Sequence, residues 1–242
     1  MEQNHNQSRY IPLAGAANVR DLGGCPLPGG GTTAWGRFLR ADSTASLTPQ
    51  DIDLLKERGL ALVLDLRSPG ETAYFPSRLR EVPGVRYENI VMFGDVNSSG
   101  MKGNLPDDMA DMYIGLLENC QEQYRRIACL LLECTGLTLF HCTAGKDRTG
   151  VLAMLLLQLA GVDKETITTD YAATEQYLPP QKNCQELAAR GIQIPLHVLQ
   201  AQPCTMEKTL EYLLATWGGA AQYFAACGLS PKEVEKLKQR LL

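Results

Sequence analysis

The period of the apolar positions changes along the chain. Residues 48–59 ("TPQDIDLLKERG") carry helical spacing, with Thr48 placed to N-cap, Pro49 at the first helical position and Gly59 as terminator. The continuous run "LALVLDLRS" follows, ends in charge, and predicts a buried parallel strand. "VRYENIVMF" (85–93) predicts a second strand and "GLTLFH", ending at His141, a third. Between these two, residues 94–108 form a long polar loop of the kind that serves as a lid or binding loop, and 109–134 are mostly helical by period. An apolar helix over 149–160 follows the third strand at once. Strand and helix in alternation predict the α/β class: a central, mainly parallel sheet flanked by helices.

The Gly- and Pro-dense stretch 25–36 reads as turns or a hairpin. From Asp163 onward every periodic segment is helical: 163–178, then 205–219 stopped by Gly218 and Gly219, then 229–242 with Ser230 and Glu233 spaced as a capping box. No linker-like composition intervenes. The expectation is one domain over 1–242, with about 163–242 a helical portion packed on the sheet core.

Composition narrows the classes. Hydrophobic residues are 45% of the 242 and charged residues 21%, which supports a core and excludes wholesale disorder. The net charge of -4, with no basic block, gives no argument for nucleic acid, although a local basic pocket is compatible with it. "VLAMLLLQLAGV" is too short to span a bilayer and reads as a buried helix, so no integral membrane segment is expected. The first residues, "MEQNHNQSRYIPLAG", lack an apolar signal region, so the chain is expected in the cytoplasm, or exported without a visible signal peptide. Eight cysteines (25, 120, 129, 134, 142, 184, 204 and 227) form no CxxC pair. They fit a reducing compartment, and neither a metal nor a cofactor is expected.

The chemistry concentrates in "HCTAGKDRTG", residues 141–150. A short loop wrapped at a helix N-terminus points several backbone N–H groups at one spot, where the helix dipole adds positive potential. Such a nest binds a tetrahedral oxyanion. Thr143, Ala144, Gly145, Lys146 and Asp147 make up the loop, and Ala144 and Gly145 keep it small. Arg148 adds a planar fork matched to two phosphate oxygens. Cys142 at the base of this positive cradle is a nucleophile aimed at phosphorus. Thr149 can hydrogen-bond its sulfur. His141 reads as an orienter of the loop rather than a base.

The C-x5-R-T spacing is that of cysteine-dependent phosphatases, and the fuller string resembles the bacterial tyrosine phosphatases with an HCxxGKDRTG loop. "NVRDLGG" (18–24), "FLRADS" (38–43), "LDLRSPGE" (64–71) and the tail "TWGGAAQYFAACGLSPKEVEKL" are similar to further blocks of that family, so the resemblance covers roughly residues 10–242. It implies a cysteine-phosphatase fold and activity on phosphotyrosine, phosphoserine/threonine or phosphoinositides. The substrate would be a phosphorylated protein or a phosphoinositide.

Protonation of the leaving oxygen calls for an aspartate on a loop facing the cradle. Asp95 opens the 94–108 loop, and "MFGD" resembles the family's counterpart. Asp107, Asp108 and Asp111 are alternatives that also read as helix N-terminal charge. Asp147 could substitute, or serve as loop scaffolding tied to Arg148 or to backbone amides. Lys146 points outward to a second substrate phosphate, as the resemblance supports, or is a solvated loop lysine. Asp65 and Arg67 read as a buried structural pair beside the site. Arg20, Asp21, Arg40 and Asp42 frame the pocket or brace the loop. The functions in play are a protein tyrosine or dual-specificity phosphatase, a phosphoinositide or inositol polyphosphate phosphatase, and a phosphate-binding module without turnover.

Overall fold

The computed structural model describes residues 8–92, 107–181, 183, 185 and 193–242. Strands β1 (Arg20–Asp21), β2 (Phe38–Ala41), β3 (Leu60–Asp65), β4 (Arg86–Asn89) and β5 (Leu137–His141) form one sheet in the order β1-β2-β5-β3-β4. The β2–β5, β3–β5 and β3–β4 pairs are parallel, and only β1 runs antiparallel, against β2. The expected α/β architecture is present. β1 and β2 were not among the expected strands. They are two and four residues long, and each buries an arginine, so no apolar run marks them.

Side chains alternate across the sheet with the strand period of two. Leu39, Ala41, Leu60, Val63, Leu137 and Leu139 pack into one apolar cluster, shared with Leu55 of α1 (Pro49–Glu57). Phe38, Leu62, Leu64 and Phe140 face the opposite, larger cluster. α1 carries the expected cap, made reciprocal by Asp51, which accepts from the Thr48 amide while the Thr48 hydroxyl accepts from the Asp51 amide. β4 is shorter than the run 85–93, although Ile90 and Met92 still donate to the carbonyls of Asp65 and Leu66.

The helical stretch 109–134 is divided into α3 (Met109–Asn119) and α4 (Gln121–Glu133), because Cys120 leaves helical geometry at φ -116°, ψ 27°. The apolar period continues through the break, so the pattern alone did not show it. The expected helix over 163–178 is likewise two, α6 (Lys164–Ala172) and α7 (Thr174–Tyr177), meeting at Ala173. Between them and β5 lies α5 (Asp147–Ala160), in which nearly every residue from Arg148 to Ala160 is buried. A helix that is apolar all round needs cover on every side. α8 (Leu196–Leu199), α9 (Pro203–Trp217), α10 (Ala220–Ala226) and α11 (Pro231–Gln239) follow, with α10 and α11 packed on α5 and on α4, and α9 on α3 and α6. α9 and α11 end and begin as expected, at a left-handed Gly218 and at the Ser230–Glu233 capping box. The Gly- and Pro-rich 25–36 stretch closes as a minimal hairpin around a Pro26–Thr32 bridge. No helix among the described residues is long and apolar enough to cross a membrane.

A buried polar network fixes the carboxyl edge of the sheet. Arg67 grips Asp65 through Nε (2.9 Å) and Nη2 (2.6 Å), and Tyr87 donates to the same carboxylate at 2.6 Å. Asn89 bridges the carbonyls of Asp65 (2.8 Å) and Arg67 (2.9 Å). The Arg67 Nη1 group reaches the Phe75 carbonyl at 2.9 Å, which fastens the end of α2 (Pro69–Tyr74) to β3. Asp65 and Arg67 thus form a buried ion pair at the carboxyl end of β3.

Burial alone would raise the Asp65 pKa, but the hydrogen bonds and charge of Arg67 and the hydrogen bond from Tyr87 hold it down at about 2. Asp65→Asn is expected to lower stability by about 3–5 kcal/mol in urea unfolding at neutral pH, because it leaves Arg67 buried without its countercharge. The carboxylate is stronger in the folded state, so its contribution is complete above the ordinary value of 3.8 and is lost as pH falls toward 2. The gap in Tm between wild type and variant should therefore narrow below about pH 4. A gap that stays constant down to pH 2.5 would count against this assignment.

Candidate active site

β5 delivers Cys142 to the edge of the sheet, and the chain turns through 143–146 into α5. Gly145 sits at φ 66°, and a Cβ there would lie 2.4 Å from the Ala41 carbonyl oxygen. Only glycine fits both demands. The loop carbonyls are held from behind. The Ser43 amide donates to Thr143 O at 2.9 Å, Asn18 Nδ2 to Ala144 O at 3.0 Å, and Arg40 Nη2 to Gly145 O at 2.7 Å. Among the described residues, no acceptor takes up the amides of Thr143, Ala144, Gly145 or Lys146.

Cys142 is 1% exposed and packs in the same apolar cluster as Phe140. Arg148 is 3% exposed and forms a fork-to-fork pair with Glu71, Nη1 to Oε2 at 2.7 Å and Nη2 to Oε1 at 2.8 Å. Glu71 also accepts from the Thr143 hydroxyl and, at 2.9 Å, from the Ser68 amide, where it closes the capping box of α2. Burial pushes the Glu71 pKa up, yet the Arg148 contacts outweigh it and hold the group at about 2. The same pair raises Arg148 against its own desolvation. Glu71 was missed as a site residue. Its sequence signals were the Ser68-to-Glu71 capping spacing and its place at the end of the "LDLRSPGE" block, and neither points to an arginine 77 positions away.

Among the described residues, five buried side-chain polar atoms face no hydrogen-bond partner (Arg20 Nε, Arg40 Nε, Tyr124 Oη, Arg148 Nε and Thr149 Oγ1), and two of them, Arg148 Nε and Thr149 Oγ1, belong to the motif itself. Glu71 occupies the Nη1–Nη2 end of the guanidinium, so the Nε–Nη2 edge keeps two parallel donors. That edge suits two oxygens of a tetrahedral anion. Thr149 does not hydrogen-bond Cys142 in this state, contrary to expectation, and its hydroxyl is one of the unpartnered atoms.

His141 is fully buried. Its Nδ1 lies 3.1 Å from the Cys142 carbonyl and its Nε2 3.2 Å from Thr44 Oγ1. A carbonyl only accepts, so Nδ1 carries the proton and Nε2 accepts from Thr44. Burial lowers its pKa despite the pull of Asp65 at 3.5 Å. A neutral imidazole that braces the loop backbone matches the orienter reading.

Lys146 departs from both expectations. It is 3% exposed, with Nζ donating to the carbonyls of Val198 and, at 3.0 Å, Gln200. The α8 segment lies over the loop and takes the ammonium inward, so Lys146 points neither to solvent nor to a second substrate phosphate. Asp147 is tied as scaffolding, but to other partners than expected: Tyr113 donates to it at 2.6 Å and Lys146 approaches to 3.3 Å.

The remaining candidates brace. Asp21 accepts from the Gly23 (2.8 Å) and Gly36 (2.9 Å) amides and thereby shapes the chain before β2. Asp42 holds the amides of Ala17 and Asn18, each at 3.0 Å. Arg20 and Arg40 converge on Asp170 of α6, and burial together with the Arg40 charge pulls Arg20 down to about 10. Asp108 caps α3 and pairs with Lys208 at 2.6 Å, and Asp111 lies in the first turn, as the helix-charge reading had it. Asp107 is exposed just before that cap. Asp95, with most of the 94–108 loop, lies outside the described residues. Among the described residues, no group of three or more His, Cys, Asp or Glu side chains is placed to hold a metal ion.

Comparison with known proteins agrees with this geometry. A model of the tyrosine phosphatase family matches residues 11–242. A tyrosine-protein phosphatase of Nostoc commune is 33% identical over 222 residues, covering 84% of this chain and 74% of the relative. A protein of Cupriavidus necator assigned as a tyrosine-protein phosphatase is 31% identical, covering 86% and 80%. The triple specificity protein phosphatase PtpB of Mycobacterium tuberculosis is 25% identical, covering 95% and 98%. The chain belongs to the tyrosine phosphatase family and is a phosphatase.

Proposed function

We propose that the chain is a cysteine-dependent protein tyrosine or dual-specificity phosphatase that works through a phosphocysteine. The observation that carries this reading is the donor set of the 142–149 segment: loop amides, Arg148 Nε and Thr149 Oγ1, none of which has an acceptor or partner among the described residues. Buried polar atoms without partners are rare and call for an explanation, and a bound phosphoryl group supplies one. The Cys142 thiolate attacks phosphorus in line, an S–P bond forms, and the ester P–O bond breaks. The leaving oxygen takes its proton from Asp95. Water, deprotonated by the same carboxylate, then displaces the sulfur and releases phosphate. Arg148 and the amides hold the three equatorial oxygens, where transition-state charge is stabilised. Glu71 orients Arg148 and leaves its Nε edge to the substrate.

Two observations shape the finer reading. Asp147 already serves Tyr113 and Lys146, which supports Asp95 as the acid. Lys146 is spent on backbone carbonyls, which removes the specific support for an inositol phosphate carrying a second phosphate group. The family includes a relative named for triple specificity, so breadth within protein substrates is part of the proposal. Residues 1–242 act in it as one catalytic unit, supported by the contacts of Lys146 in the loop with Val198 and Gln200 in the helical half.

Phosphate release should be measured on phosphotyrosine, phosphoserine and phosphothreonine peptides, phosphoinositides and inositol hexakisphosphate. Phosphotyrosine peptides are expected to lead, and Cys142→Ser is expected to bind them without hydrolysis. Wild-type protein that binds phosphopeptides but releases no phosphate would mark a module without turnover. Asp95→Asn should lower kcat by about 10²-fold or more for poor leaving groups. Unchanged turnover in Asp95→Asn beside a collapse in Asp147→Asn would reassign the acid. Glu71→Gln should lower kcat/KM by about 10²-fold while Cys142→Ser-type trapping persists, because Arg148 loses its fixed orientation. Wild-type kinetics in Glu71→Gln would remove Glu71 from the mechanism.

A further inference from the structure

Asp170 lies on α6, in the helical half of the chain, and is 3% exposed. Three arginines from the N-terminal part of the chain meet it: Arg40 Nη1 at 2.5 Å, Arg9 Nη2 at 2.6 Å and Arg20 Nε at 3.7 Å. Two hydrogen-bonded chains run from this residue to consecutive carbonyls of the 142–148 loop. In the first, the Asp170 carboxylate holds Arg40, whose Nη2 donates to Gly145 O at 2.7 Å. In the second, the Asp170 backbone carbonyl accepts from Arg20 Nη2 at 2.9 Å, Arg20 Nη1 donates to Asn18 Oδ1, and Asn18 Nδ2 donates to Ala144 O at 3.0 Å.

The consequence follows from the peptide unit. In a planar trans peptide the C=O of one residue and the N–H of the next point in opposite directions. Drawing the carbonyls of Ala144 and Gly145 back therefore turns the amides of Gly145 and Lys146 forward, into the loop. Gly145, at φ 66°, has no side chain to resist the turn. A loop without these anchors could rotate either peptide and lose a donor.

We propose that Asp170, Arg40 and Asn18 are positioning residues that aim the Gly145 and Lys146 amides at the substrate phosphoryl group. The oxyanion site is thus completed by α6, and the helical half of the chain is part of the phosphate-binding device. This inference rests on the reading of 142–148 as the phosphate loop.

The test uses the full chain and the variants Asp170→Asn, Arg40→Lys and Asn18→Ala. Three quantities are measured: the inhibition constant of orthovanadate, the ratio of Cys142 alkylation rates by iodoacetate and by iodoacetamide, and Tm. The alkylation ratio reports attraction of an anion to the loop without requiring turnover. Each variant is expected to weaken orthovanadate by about 10-fold or more and to lower the alkylation ratio by a similar factor, because aimed donors act through their geometry. Should Asp170→Asn fail to fold, Asn18→Ala decides, since it cuts one chain and leaves every charge in place. Variants with a lower Tm but wild-type orthovanadate inhibition and alkylation ratio would reduce the three residues to a structural role and overturn the proposal. Wild-type protein that shows neither orthovanadate inhibition nor preference for iodoacetate would overturn the phosphate-loop reading itself, and the proposal with it.

Discussion

Buried guanidinium groups must be paired, and four of them set the terms of this structure. Arg20, Arg40, Arg67 and Arg148 are each no more than 3% exposed. A buried charge left without a partner costs several kcal/mol, so each arginine dictates where a carboxylate must sit. Arg67 takes Asp65 at the end of β3, Arg148 takes Glu71 on α2, and Arg20 with Arg40 takes Asp170 on α6. Asp65 and Glu71 lie close together at the end of β3 and in the first turn of α2, whereas Asp170 comes from the helical half of the chain. Satisfying the arginines therefore brings β3, α2 and α6 around one loop. The pairing also leaves useful remainders: an Nε edge on Arg148, and on Arg40 an Nη2 group free to hold Gly145.

How much of this was legible in the sequence depends on the range of each interaction. The caps at Thr48 and Ser230, the stop at Gly218 and the strand-loop-helix around Cys142 are local and were legible. β1 and β2 were not, because a strand that buries arginine for a carboxylate elsewhere shows no apolar run. The break at Cys120 was hidden by an apolar period that runs straight through it. Asp170 lies 130 positions from Arg40, and Glu71 lies 77 from Arg148. No local pattern distinguishes such a carboxylate from one in solvent.

Lys146 shows why loop residues resist reading from sequence. A lysine in a short polar loop ordinarily keeps its ammonium in water. Here α8 and the residue after it lie over the loop and offer two backbone carbonyls, from Val198 and Gln200. A single helical turn cannot supply amides to its own last carbonyls, so donors for Val198 and Gln200 must come from outside α8. Glu175 completes the tie from the other side, accepting from the Ala201 amide at 2.7 Å. The ammonium thus satisfies a helix end rather than a ligand, and the charge next to the cradle is set by Arg148 and the amides.

His141 and Cys142 are neighbours in the motif and serve opposite faces of the sheet. The strand period sends Cys142 with Phe140 toward α5 and His141 with Leu139 toward α1. The imidazole therefore cannot act as a base on the adjacent thiol, whatever its protonation state. What it reaches is the backbone: Nδ1 donates to the Cys142 carbonyl while Nε2 is held by Thr44, itself hydrogen-bonded to Ser77 at 2.7 Å. Fixing that carbonyl fixes the first peptide of the loop, and the Ser43 amide fixes the next carbonyl, at Thr143. With Asn18 on Ala144 and Arg40 on Gly145, four successive carbonyls are tied. A nest of amides is not a property that the loop has alone. It is what is left facing inward once every carbonyl has been given a partner outside.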